Sequence, residues 1–197
     1  MLLTNKLGGI AMNETQDRIA QTFVELLKTR PYSKISIKNI CESTPTSRNA
    51  FYYYFESKEA LVKWIAIQHF LKYCFPFIKI RENNLSTKAF FNYILDYKSF
   101  YSAIYQYDGG ELLRKCLMAA YNVSLDPEHV KEYAKNVVKD KNRIDSRVCL
   151  RYSNAGTAEV ILFWISDGMR IPVEIIARDL MLMLTKSLED VRDYYLY

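Results

Sequence analysis

Residues 46–61 read TSRNAFYYYFESKEAL. Tyr52, Tyr53 and Tyr54 stand between Phe51 and Phe55, and the charged run Glu56-Ser57-Lys58-Glu59 follows. Ser47 and Ser57 each stand where a hydroxyl can accept from the free amides that open a helix. The stretch therefore predicts a short helix from Arg48 to Phe55 and the start of another at Lys58. Phe51 and Phe55 are four apart and share one helix face, so they point inward. Arg48, Asn49, Tyr52 and Tyr53 fall wholly or partly on the other side, and a core does not account for them.

Upstream, a first helix is expected over Asn13–Thr29, with Ile19, Phe23, Leu26 and Leu27 as its apolar stripe. Pro31 cannot continue the hydrogen-bond ladder. A second short helix runs from its Ser36 cap to about Glu42, with Ile37, Ile40 and Cys41 inward. Residues 43–46, STPT, break the chain before Ser47. Short helices packed this closely are the layout of a helix-turn-helix unit. A helix of this kind can lie in the major groove of double-stranded DNA. Arg48 can pair with guanine and Asn49 with adenine. A tyrosine hydroxyl suits a phosphate oxygen, and its ring suits the thymine methyl. Lys58, at a helix start, combines its charge with free amides that favour a phosphate.

The rest of the 197 residues is helical in pattern, and the fold class is all-α: only 6 glycines and 5 prolines interrupt spacings of three and four. The fourth helix is expected to reach about Phe75. Further helices follow at about Thr87–Tyr107, Glu111–Asn122, Asp126–Val138, Ser146–Asp167 and Pro172–Tyr194. This organises the chain as a tail (1–12), a DNA-binding head (13–60) and a helical body (61–197). Tyr93, Tyr97, Tyr101 and Tyr105 recur every four residues, either as a pocket wall with hydroxyls to orient a small ligand or as an aromatic seam between helices. Trp64, Tyr121 and Trp164 are further candidates for a ligand site.

Composition narrows the function classes. Cys41, Cys74, Cys116 and Cys149 are widely spaced and only His69 and His129 could join them, which speaks for reduced thiols and against a zinc site. No nucleophile–base pair or phosphate loop is legible, so neither an enzyme nor a cofactor is expected. No apolar run is long enough for a membrane span, and a cytoplasmic location is expected. The net charge of +5 permits nucleic-acid binding without establishing it. Residues 1–60 hold eight basic side chains against six acidic ones. That thin excess leaves open an alternative: a helical interaction module or co-activator that depends on a protein partner.

The stretch IKNICESTPTSRNAFYYYFESKEALV, residues 37–62, resembles the DNA-binding head of TetR-type transcriptional regulators. Ile40, Ser47, Phe51-Tyr52, Phe55 and Ser57-Lys58-Glu59-Ala60-Leu61 carry the likeness. It implies an all-helical homodimer binding a near-palindromic operator, usually as a repressor, with affinity modulated by a small effector. It also implies phosphate contacts for Tyr52 and Lys58, base contacts for Arg48, Asn49 and Tyr53, and a backbone contact for Lys38, with Ser47 as a further member of the DNA-binding set. Two departures stand out. The family's usual Ala-Gly-Val-Ser turn is here Thr44-Pro45-Thr46-Ser47, so the turn must bend without a positive φ. Ala50 replaces a frequent threonine. Residues 152–184 are similar to the end of the subgroup related to dihydroxyacetone-kinase operon activators, through Ala155-Gly156, Trp164, Gly168 and Pro172-Val173-Glu174; this makes activation an alternative to repression. The family's last two long helices usually form the dimer interface, which points to Ala155, Ile161, Leu162, Ile165, Ile176, Leu180 and Leu184.

Overall fold

The computed structural model describes residues 13–73, 83–124 and 146–185. These residues form an all-helical chain that divides into two compact units, one through Ile65 and one from Ala66. The tail (1–12), the helix expected over Asp126–Val138 and the last helix beyond Thr185 lie outside the described residues.

In the first unit, α1 (Glu14–Leu27) starts at Asn13, whose side chain accepts from the Thr15 amide at 2.9 Å. A single 3-10 turn, Tyr32–Lys34, follows Pro31. Helix α2 (Ile37–Ser43) opens with a capping box, in which Ser36 accepts from the Asn39 amide and Asn39 accepts from the Ser36 amide. Helix α3 (Arg48–Tyr54) and the part of α4 (Lys58–Tyr73) up to Ile65 complete it. Ile19, Phe23, Ile40, Phe51, Leu61 and Val62 lose all contact with solvent and form one core. Short helices cannot hold their own backbone in water, so this shared apolar cluster maintains α2 and α3.

In the second unit, the expected helix over 87–107 is two helices, α5 (Asn83–Asp96) and α6 (Lys98–Asp108). The division falls at Tyr97, whose φ of −102° and ψ of 28° leave the helical region. Backbone bonds from Tyr97 to Tyr93 and from Tyr101 to Tyr97 persist, so the chain bends there without unravelling. Helix α6 ends at Gly109 and Gly110, both at positive φ. A Cβ on Gly110 would lie 2.7 Å from the Tyr105 ring, so only glycine fits there. Asp108 turns the chain into α7 (Glu111–Ser124) by accepting from the Gly110 and Leu112 amides.

Helix α8 (Ser146–Ser166) packs on α6 and α7, and α9 (Val173–Thr185) packs on α5. The corner between them is tied twice: the Trp164 indole donates to the Ile171 carbonyl at 2.8 Å, and Lys98 donates to the Gly168 carbonyl at 2.7 Å. The packing also places most of the residues expected at the dimer interface within the chain. Ile161, Leu162, Ile165, Ile176 and Leu180 are buried in the chain's own core. Leu184 is half-buried and Ala155 is exposed. Among the described side chains of α8, the large apolar ones left in solvent are Val148, Tyr152 and Phe163, on the same side as Ala155.

Candidate nucleic-acid interface

Helix α3 is fixed from below. Phe51 is fully buried, with its ring 5.7 Å from Phe55, and Phe55 meets Trp64 at 5.6 Å. At its start, the Ser47 hydroxyl accepts from the Ala50 amide at 3.1 Å. The turn before it shows how Pro45 is accommodated. The Thr44 amide still donates to Ile40, which closes α2, and Thr44 itself is extended, as a residue before proline must be. The Thr46 amide then donates to the Thr44 carbonyl at 2.5 Å, enclosing Pro45 in a three-residue turn. The φ that proline imposes lies close to the value this turn requires. No residue between α2 and α3 has a positive φ. The bend is therefore made with proline where a glycine would otherwise be needed.

On the outer face, Arg48, Asn49, Tyr52 and Tyr53 are exposed together. Tyr53 is 82% exposed, an unusual position for a large ring in a protein with an intact core beneath it. Tyr52 leans edge-on against Phe51 at 5.7 Å, which orients its ring while leaving it 54% exposed. Tyr54 stands edge-on to Tyr53 at 4.9 Å and braces it. Lys38 is exposed on α2 and lies 3.6 Å from Glu42. Ser47 is at the helix start as expected, acting on the backbone.

Lys58 is placed differently from the others. Its ammonium group folds inward, donating to the carbonyls of Tyr32 at 2.8 Å and Ile35 at 2.7 Å. It also lies 3.8 Å from the centre of the Tyr32 ring. Burial lowers its pKa from the ordinary lysine value.

The expected ligand residues do not form one group. Trp64 belongs to the first unit, packed on Phe55. Trp164 is fully buried against Phe91 at 5.1 Å, and Tyr121 packs on Phe70 at 5.3 Å. Tyr105 lies over Gly110. Tyr97 and Tyr101 do come together, around His69, with Tyr93 and Phe100 completing the ring of neighbours at centroid distances of 4.5–6.5 Å. Tyr73 stacks on Tyr93 at 4.0 Å. His69 is thus the centre of an aromatic cluster. Burial, with the nearby Lys72 charge, pushes its pKa down to about 3, so the imidazole is neutral. Its sequence position showed none of this, because most of its neighbours lie 24 or more residues downstream.

A short capped helix on a buried aromatic base, with arginine, asparagine and tyrosines outward, defines a helix-turn-helix DNA-binding regulator. Residues 21–65 match the family described as bacterial regulatory proteins, tetR family, and residues 84–186 match a transcriptional regulator C-terminal region. The chain belongs to the TetR family of transcriptional regulators. Its similarity to the HTH-type dhaKLM operon transcriptional activator DhaS of Lactococcus lactis subsp. lactis (strain IL1403) is 37% identity over 51 residues. That stretch is 26% of this chain and 27% of the relative, so the match spans about a quarter of the relative's length. The solved structure of the dihydroxyacetone kinase operon activator DhaS shares the fold over 91% of this chain and 97% of that one, with a TM-score of 0.62 and 20% identity. The fatty acid degradation regulator FadR from Bacillus halodurans shares it over 87% and 98%, with a TM-score of 0.57 and 15% identity. Among the described residues, no helix is long and apolar enough to cross a membrane, and no group of three metal-ligating side chains exists.

Proposed function

We propose that this regulator binds a near-palindromic operator in the cytoplasm as a homodimer, and that a small effector held by the helical body changes its DNA affinity. The observation that carries the DNA part is the joint exposure of Arg48, Asn49, Tyr52 and Tyr53 on one face of α3. Arg48 and Asn49 are the base readers, Tyr53 offers its ring to a thymine methyl, and Tyr52 offers its hydroxyl to a phosphate. Lys38 supplies a backbone contact. Two such heads would meet half-sites about 34–36 Å apart. Binding to the DNA upstream of its own coding region, followed by fluorescence anisotropy, tests this; no sequence-specific binding at low salt would overturn it. Arg48→Ala should cost about 1–3 kcal/mol on that DNA and relax preference at a single base pair, as a binding-site selection would reveal.

The exposed side of α8 supports the dimer. Val148, Tyr152 and Phe163 are each more than half exposed beside Ala155, an apolar stripe with no partner among the described residues. Phe163→Glu should leave the fold intact and shift the protein to monomers in analytical ultracentrifugation. For the effector, Tyr97 and Tyr101, whose rings both lie beside His69, are the proposed lining residues. Such a ligand changes DNA binding only through different affinities for the two states. Placed over a promoter, the dimer represses. The similarity to DhaS, described as an operon activator, favours activation as the second reading. A reporter behind the native upstream DNA, read with and without the gene, separates them.

A further inference from the structure

We infer that Lys58 is a positioning residue that sets the pose of the DNA-reading helix, and not a phosphate ligand. The inference rests on the DNA-binding reading and revises one residue of it. An ammonium group has three N–H donors. Here two are spent on the Tyr32 and Ile35 carbonyls, and the remaining side of the charge lies against the Tyr32 ring at 3.8 Å. To reach outward to a phosphate, the ammonium would have to leave both carbonyls and the ring. The neighbouring contact closes it further, since the Tyr32 hydroxyl donates to Glu59 at 3.0 Å.

The elements that this clamp joins give it a role. Tyr32 opens the 3-10 turn and Ile35 closes it, directly before Ser36, the cap of α2. Lys58 is the first residue of α4, three positions after Phe55, where α3 has closed. The clamp therefore ties the start of α2 to the start of α4, and α3 is suspended between these two fixed points. Tyr32 is itself fixed by burial and by its edge-on contact with Phe23. A lysine stem is long and thin enough to thread there, whereas a planar guanidinium would not seat on both carbonyls and the ring together.

Salt dependence and a ring-current signature test this. Lys58→Met keeps the stem and removes the ammonium. Its binding to the native upstream DNA should fall at least about tenfold. Binding to an unrelated duplex of equal length should stay within about twofold, and the slope of log K against log salt should hardly change. A phosphate ligand would instead weaken both duplexes alike and make the slope shallower by about 0.9. That result would overturn the inference. The second measurement needs no variant. In the wild-type protein, the Lys58 ε-methylene protons should resonate upfield under the Tyr32 ring and stay there when DNA is added. Their return to the ordinary lysine position on binding would also overturn it. If the wild type bound no duplex specifically, the DNA-binding reading itself would fail, while the upfield shift in the free protein would still report the clamp.

Discussion

Phe51→Ala unfolds the head and abolishes DNA binding while the helices of the second unit stay folded. Phe51 is fully buried and is the only buried side chain of the seven-residue α3. Its ring touches Phe55, and through Phe55 the packing continues to Trp64. Truncating a buried phenylalanine costs about 3–5 kcal/mol, from lost burial and the cavity it leaves. A unit of this size has little more stability than that to lose. Far-UV circular dichroism should show a separate low-temperature transition, already past its midpoint at room temperature. Tyr53→Ala is the matched control. Tyr53 is 82% exposed, so its loss should leave the melt within about 0.5 kcal/mol while weakening DNA binding. The opposite pattern, in which the Tyr53 variant unfolds and the Phe51 variant binds, would reverse the assignment of inner and outer faces.

Much of the head was legible because its signals are local. Ser36 and Ser47 announce helix starts by chemistry acting within three residues, and Phe51 and Phe55 declare their face by spacing alone. The turn at Pro45 was legible only as a negative, that a positive φ was barred; its three-residue form depends on where Thr44 and Thr46 are held. Lys58 looked like a phosphate ligand because charge and position are visible in sequence, whereas Tyr32, 26 residues upstream, is not visibly its neighbour. The body was harder. Helix α8 is apolar on more than one side, and spacing cannot say which side meets α6 and α7 and which is left over. Ile161, Leu162 and Ile165, which the resemblance put at the dimer interface, are buried within the chain, while Phe163 between them is exposed. The bend at Tyr97 has no glycine or proline to announce it. The surroundings of His69 are hidden in the sequence for the same reason as those of Lys58, since its neighbours arrive through folding.

That cluster gives the body a predictable response to acid. His69 lies largely buried, its Nδ1 without a hydrogen-bond partner among the described residues. The groups that face it are the Tyr93, Tyr97 and Tyr101 rings, Phe100 and the Lys72 charge, none of which can stabilise an imidazolium by opposite charge. Its pKa falls from 6.5 to about 3 in the folded state. Below pH 6.5 the unfolded chain therefore takes up a proton that the folded chain refuses, and falling pH favours unfolding. The loss is about 1.4 kcal/mol per pH unit from 6.5 downward, or roughly 2 kcal/mol by pH 5, and it ends near pH 3. Carboxylates cloud the lower part of this range. The Glu59 and Glu174 pKa values are both held below the ordinary carboxylate value, so these groups stay ionised through the window from pH 6.5 to 5. Urea unfolding at half-unit intervals across that window isolates His69. In His69→Phe, where a ring of similar shape fills the cluster, the slope should disappear while stability at pH 7.5 changes by no more than about 1.5 kcal/mol. An unchanged slope in that variant would place the acid sensitivity elsewhere and remove the neutral imidazole from the account of the body.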